Sequence, residues 1–305
     1  MSKEALLFPG QGLSSKDIIG FYTKLNSLDP SSIGRRILQV QEALNKVHGT
    51  SEFDVMYTLG DESSSNYQKT AFIQPVIYAL SIAAYELSKD KLHPFFVLGH
   101  SLGEYSAITA SGVIELEEGL EMVTYRGFFM QDAGNRNNCR LVSLQGIGIE
   151  QAIKLRESGL LEIALINGPE LIVVGCVESN IPLVEEMARA AGAKRTVILQ
   201  TSGAFHTSHM QEVVVKLEQI FLRYKFGEVK IPVIANIDGE IVESGVYPKG
   251  NLLKSLTNPV QWAKSQNKLK QIGVDEFIEV GPGNSLQSLA RLNGIPKEQI
   301  KSVLD

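Results

Sequence analysis

The chain has 305 residues, 44% of them hydrophobic and 21% charged, and a formal net charge of −5 at pH 7. That length suits roughly two domains with a sizeable core, and the acidic balance argues against a nucleic-acid partner, because neutralising phosphates takes clustered Lys and Arg. Cys139 and Cys176 stand isolated and no His-Glu-x-x-His occurs, so neither a disulfide framework nor a metal site is expected.

Met1-Ser2-Lys3-Glu4 runs straight into a strand-like segment, with no signal-peptide core, and no apolar stretch long enough to cross a bilayer is read further on. The expectation is a cytoplasmic enzyme with no membrane partner. Glu4–Phe8 reads as a buried strand leading into Pro9-Gly10-Gln11-Gly12. A dinucleotide fingerprint is rejected there, since Ser15 stands where a third glycine is needed, and no Walker-type phosphate loop occurs anywhere. Helical periodicity covers Ser32–Val47, with Ser32 as cap, and resumes at Gln74-Pro75, with proline in the first turn. In that second helix Val76, Ala79, Leu80, Ala83, Ala84 and Leu87 form one apolar face.

The apolar run Phe95-Phe96-Val97-Leu98 is followed directly by Gly99-His100-Ser101-Leu102-Gly103 and a helix-like stretch. A strand that turns sharply into a helix lifts the central residue of Gly-x-Ser-x-Gly to the crest of a sheet, and the glycines permit the turn. The hydroxyl then sits at a helix N-terminus, where free N–H groups favour developing negative charge. Ser101 is therefore the nucleophile candidate. It needs a base, and the chain has five histidines. His100 adjoins the serine along the chain and is a poor geometric partner for it. His48 and His93 read as surface residues. His206 and His209, in a small-residue loop entering a helix, remain; His206 is the expected base and His209 the fallback. No acidic residue stands out between Ser101 and His206, so a dyad oriented by a backbone carbonyl fits better than a triad.

A helix over about 117–131 carries Arg126 on the flank of Leu120, Val123, Gly127 and Met130. A buried guanidinium needs a partner. A substrate carboxylate would supply a bidentate one; the alternatives are a salt bridge to Glu117, Glu121 or Asp132, or a surface arginine that snorkels to water. The rhythm then becomes strand 140–144, helix 149–157, strand 162–166, strand 171–177, helix 181–191 and strand 195–199, with Asn167-Gly168-Pro169 as the central turn. That β-α-β-β-α-β order is ferredoxin-like. The expected fold is α/β: a hydrolase-like unit over 1–134 and 202–305 with a parallel sheet, and an inserted ferredoxin-like unit over 135–201. Strands 231–235 and 277–280 complete the larger unit, and the cleft beneath the insert is the expected substrate site.

Phe8-Pro9-Gly10-Gln11-Gly12, Thr70-Ala71-Phe72-Ile73-Gln74-Pro75, Gly99-His100-Ser101-Leu102-Gly103-Glu104-Tyr105, Arg126-Gly127-x-x-Met130-Gln131, Gly203-Ala204-Phe205-His206, Asn236-Ile237-Asp238-Gly239 and Glu279-Val280-Gly281-Pro282-Gly283 follow one another in order. Together they resemble the malonyl-CoA:acyl carrier protein transacylase family along essentially the whole chain. The resemblance implies ping-pong transfer, in which Ser101 takes malonyl from malonyl-CoA and delivers it to the phosphopantetheine thiol of an acyl carrier protein. CoA enters as a substrate thioester, and no cofactor is expected. It implies His206 as base and acid, the N–H groups of Gln11 and Leu102 as oxyanion hole, and Arg126 on the malonyl carboxylate. It also implies a base-orienting carbonyl near Ser255, where the family usually has glutamine. Phe205 and Asn167 are expected among the substrate-binding residues, with the Phe205 ring disfavouring a branched acyl group. An acyl hydrolase acting on carrier proteins would use the same dyad, and a non-catalytic docking module would not need it. Since carrier proteins are usually acidic, Lys194, Arg195, Lys264, Lys268, Lys270 and Arg291 are candidates for a docking surface.

Overall fold

In the computed structural model, residues 2–305 are described. Ten strands occur among them: β1 (Glu4–Phe8), β2 (Pro94–Gly99), β3 (Cys139–Gln145), β4 (Glu162–Gly168), β5 (Leu171–Val177), β6 (Arg195–Ile198), β7 (Val233–Ile234), β8 (Ile241–Val242), β9 (Glu276–Glu279) and β10 (Ile300–Ser302). Six form one sheet in the order β10-β9-β1-β2-β7-β8, parallel except for the edge pair β7–β8. Strands buried on both faces read as continuous apolar runs, and Ala5, Leu6, Leu7 and Phe8 of β1 are accordingly inaccessible to solvent.

The other four strands form an antiparallel sheet in the order β4-β5-β3-β6. Alternation sets what each of its faces meets. Leu141 and Val173 join the main core, while Val142, Ile172 and Val174 form a second core with the helices Ile149–Arg156 and Ile181–Ala190. The central turn falls at Pro169-Glu170, because β4 continues through Gly168.

The helix Thr70–Ser88 begins five residues before Pro75 and holds that proline in its interior. Its first turn is secured by other parts of the chain: the Thr70 N–H donates to Gln131 Oε1 at 2.9 Å. This helix is buried from Thr70 through Ala84, and only Leu87, at 37% exposure, leaves the expected apolar face. Contrary to the sequence reading, Thr70–Lys91 is long and apolar enough to cross a membrane, but 83% of its apolar 18-residue stretch is buried inside the protein, as suits a core helix. The helix expected over Ser32–Val47 runs Pro30–His48, and its cap is Asp29, whose carboxylate accepts the Ser32 N–H at 3.0 Å. His48, expected at the surface, packs its ring edgewise against Phe53 and Phe128. β7 keeps only Val233–Ile234 of the expected five residues.

Two close backbone approaches put the functional residues in place. At the end of β2, a Cβ on Gly103 would lie 2.0 Å from the Phe8 carbonyl oxygen, and one on Gly99 would lie 1.8 Å from the Gly103 carbonyl carbon. Where helix Leu116–Asn137 crosses helix Thr70–Ser88, a Cβ on Gly127 would lie 2.8 Å from the Thr70 carbonyl oxygen. Gly103→Ala should therefore destabilise the protein by at least about 1–3 kcal/mol, the usual cost of overpacking a core. Denaturant unfolding checks this, and an unchanged midpoint would contradict the close approach.

Candidate active site

Ser101 lies between the end of β2 and the helix Gly103–Ala110, with φ of +54°. Non-glycine residues seldom occupy this left-handed region, and holding one there costs free energy. It turns Oγ toward His206, and Ser101 Oγ lies 2.7 Å from His206 Nε2. On the other side of the ring, Nδ1 lies 2.5 Å from the carbonyl oxygen of Ser255. A carbonyl only accepts, so Nδ1 carries the proton and Nε2 is left with its lone pair facing the serine hydroxyl. Ser255 ends the helix Lys249–Ser255, where carbonyls lack helical partners.

His206 is 3% exposed and also has a positive φ, +62°. Its loop is pinned against the Leu116–Asn137 helix, for a Cβ on Gly134 would lie 2.1 Å from the Ser202 carbonyl oxygen. Burial, and then the charge of Arg126, push the His206 imidazole down to about 3. The ring is therefore neutral, and competent to accept a proton, throughout the neutral range. His209 is apart from this pair; its carbonyl accepts from Asn137 Nδ2.

Arg126 is 1% exposed and lies on the same helix as Gly127. One terminal nitrogen donates to Ser101 Oγ at 3.1 Å and the other to Gln74 Oε1 at 2.5 Å. Its carbon lies 5.7 Å from the Tyr105 ring centroid, within cation–π range. Among the described residues no carboxylate pairs with it. Glu117 is engaged by Arg36, Glu121 by Lys46, and Asp132 by Arg136 and Lys216. Nε has no hydrogen-bond partner either. Gln74, which sequence reasoning missed, also donates to Thr70 Oγ1 at 2.8 Å, and Thr70 Oγ1 donates to Gln11 Oε1 at 2.7 Å. This chain of amides and hydroxyls ties the Gly10–Gly12 loop to the cation.

Among the described residues, nothing accepts the backbone N–H groups of Gln11 and Leu102. That leaves them available to an oxyanion, as the N–H at a helix start commonly is. A cavity of about 570 Å³ opens above the pair, with Gln11, Ser101 and His206 in its wall and Ile73, Leu165 and Phe205 as apolar lining. Asn167 is not in that wall. Its Oδ1 lies 2.8 Å from His100 Nε2 and its carbonyl accepts from Asn293 Nδ2, so it is a partner of His100, which packs edgewise on Trp262. Of the basic candidates, Lys194 is paired with Glu170, and Lys264 and Lys268 with Glu240. Lys270 and Arg291 are exposed and bond the Asn293 carbonyl and Ser288.

A parallel-rich α/β sheet with a strained serine, a neutral histidine and a buried cation matches a known class. The profile of the acyl transferase domain matches residues 29–301, and the chain belongs to that family. The malonyl CoA-acyl carrier protein transacylase of Staphylococcus aureus is 31% identical over 95% of this chain and 92% of its own length. The crystal structure of malonyl-CoA:acyl carrier protein transacylase from Helicobacter pylori superposes with a TM-score of 0.85 at 26% identity, covering 100% of this chain and 95% of that one. A structure of a malonyl-transacylase in complex with its type II PKS acyl-carrier protein gives 0.82 at 26% identity, covering 99% and 95%.

The depressed His206 basicity has a definite consequence for pH. The unfolded chain binds a proton at this histidine near pH 6.5, and the folded one only near 3. Stability is therefore lost as pH falls through that window. Wild type should lose more stability between pH 7 and 4 than His206→Gln does, measured by urea unfolding at each pH. Equal losses would place the folded-state titration near its ordinary value.

Proposed function

We propose that the protein moves a malonyl group from CoA to the phosphopantetheine thiol of an acyl carrier protein, through an ester on Ser101. The observation that carries this reading is the buried Arg126 guanidinium, without a carboxylate partner and 3.1 Å from the serine oxygen. A planar fork of donors matches a carboxylate in two bonds. A thioester whose acyl group ends in a carboxylate therefore fits beside Ser101. An enzyme that strips assorted acyl chains to water gains nothing from such a cation.

In the first half-reaction the Ser101 hydroxyl gives its proton to His206 Nε2 while Oγ bonds to the thioester carbonyl carbon. The negative charge passes to the carbonyl oxygen, which the N–H groups of Gln11 and Leu102 stabilise. As the carbon–sulfur bond breaks, the proton on Nε2 goes to the CoA sulfur, leaving CoA thiol and the malonyl ester. The second half-reaction runs the same steps in reverse order, with the carrier's thiol giving its proton to Nε2 and attacking the ester. The Ser255 carbonyl keeps the ring oriented and offsets the charge of the transient imidazolium. Arrival of a carboxylate at Arg126 cancels one of the influences that depress His206, so the base strengthens once the matching substrate is bound. The Phe205 ring in the cavity wall limits room for a branch on the acyl group. The chemistry requires no metal or cofactor, and we place it in the cytoplasm, where CoA thioesters and carrier proteins meet.

Intact-mass measurement of the chain with malonyl-, methylmalonyl- and acetyl-CoA tests the reading. Wild type should gain one malonyl group at Ser101, pass it to carrier protein rather than to water, and take methylmalonyl and acetyl poorly; Ser101→Ala should gain none. Removing one partner of a desolvated charge pair costs about 2–5 kcal/mol. Arg126→Ala should accordingly slow malonyl loading roughly 30-fold or more, and loading at the wild-type rate would refute the clamp. Lys270 and Arg291 flank Asn293, which contacts Asn167 beside His100. The double reversal Lys270→Glu with Arg291→Glu should raise KM for the carrier and leave loading from CoA unchanged. An unchanged KM would remove this surface from carrier docking.

A further inference from the structure

The pairing of β2 with β7 stops after Val97↔Val233 and Leu98↔Ile234. In a parallel ladder the next rung would face His100: its N–H would donate to the carbonyl of residue 99, and its C=O would accept from the N–H of residue 101. No strand residue supplies that rung. The side chain of Asn236 does, with Nδ2 donating to the Gly99 carbonyl at 2.6 Å and Oδ1 accepting from the Ser101 N–H at 2.7 Å. A carboxamide carries the same donor and acceptor as a peptide unit, so it can stand in for one.

Asn236 is itself fixed from both ends. Its N–H donates to Glu104 Oε1 at 3.1 Å, and its carbonyl accepts from the Gln261 N–H at 2.8 Å. The same Glu104 oxygen accepts from the Tyr247 hydroxyl at 2.6 Å. Asn236, Glu104 and Tyr247 are 3%, 1% and 0% exposed, so water cannot replace any partner. A residue at φ of +54° keeps that conformation only when its surroundings over-determine it. Asn236 grips the chain one peptide before Ser101 and at Ser101 itself. It also occupies the Ser101 N–H, while those of Gln11 and Leu102 have no partner among the described residues.

We propose that Asn236 is the positioning residue of the nucleophile: its carboxamide completes the β2–β7 ladder across the elbow and holds Ser101 where Oγ meets His206, with Glu104 and Tyr247 keeping Asn236 in register. The inference rests on the reading of Ser101 as nucleophile. It applies to both half-reactions and to any reagent that attacks the same oxygen.

The test is the rate of modification of the full chain by a fluorophosphonate, followed by intact mass well below each variant's Tm, beside malonyl transfer kinetics. Wild type should form one adduct that Ser101→Ala lacks. Misplacing a reacting group by about 1 Å can cost on the order of 100-fold. Asn236→Ala should therefore slow labelling and kcat together, by roughly 10- to 100-fold, with KM for malonyl-CoA little changed. Asn236→Asp keeps the acceptor for Ser101 but not the donor to Gly99, and should be slowed less. A merely structural role would lower Tm and leave the labelling rate constant at the wild-type value, and that result overturns the proposal. If Asn236→Ala does not fold, Asn236→Asp decides by the same criterion. If wild type is not labelled at Ser101, the reading of the nucleophile fails, and this proposal with it.

Discussion

The placement of one buried positive charge constrains the rest of the site. Desolvating a guanidinium without a paired counter-charge costs several kcal/mol, and Arg126 is 1% exposed and in no salt bridge among the described residues. Its direct contacts are neutral, the Gln74 amide, the Ser101 hydroxyl and the face of Tyr105, while Glu104 acts on it only from a distance. This stabilisation is partial by design of the chemistry, because neutral dipoles offset only part of the lost hydration. The same charge acts on its neighbours, helping to keep the His206 imidazole unprotonated. Arg126, His206 and Ser101 thus form one electrostatic unit.

The fold supplies the geometry for that unit through backbone contacts that only glycine allows. Gly127 brings the helix carrying Arg126 onto the start of the helix carrying Gln74, and Gly103 brings the elbow onto the end of β1. Gly134 seats the His206 loop on the Arg126 helix. Side chains delivered from backbone in direct contact have little room to drift, which is the precondition for holding reacting atoms at bonding distance. The four-stranded sheet contributes a wall, with Leu141 and Leu165 facing the cavity. Its other face packs on two helices in a separate core.

Much of this was legible in the chain. The elbow announced itself because an apolar strand ending in Gly-x-Ser-x-Gly is a local pattern with a local cause, and the split β-α-β-β-α-β order is likewise a matter of consecutive periods. His206 was found by eliminating histidines in unsuitable neighbourhoods. What escaped the sequence was set by distant parts of the chain. The helix at Thr70 starts early because Gln131, far along the chain, takes its first N–H, so Pro75 misleads as a start signal. Gln74 lay hidden in an apolar run that seemed to be core alone. His48 reads as a surface residue, yet Phe128 from another helix packs against it. Asn167 sits near the site but is claimed by His100, and spacing carries no sign of that. At its C-terminal end β7 stops at Ile234, where the Asn236 side chain takes over the pairing.

The central claim is that the cation selects a carboxylate-bearing acyl group before any bond is made. Isothermal titration of Ser101→Ala with malonyl-CoA and with acetyl-CoA measures this without turnover. The account predicts that the malonyl thioester binds at least about tenfold tighter, the effect of 1.4 kcal/mol. Because the site is buried, it also predicts that the gap persists in high salt. Equal affinities for the two thioesters, or a gap that salt abolishes, would contradict it.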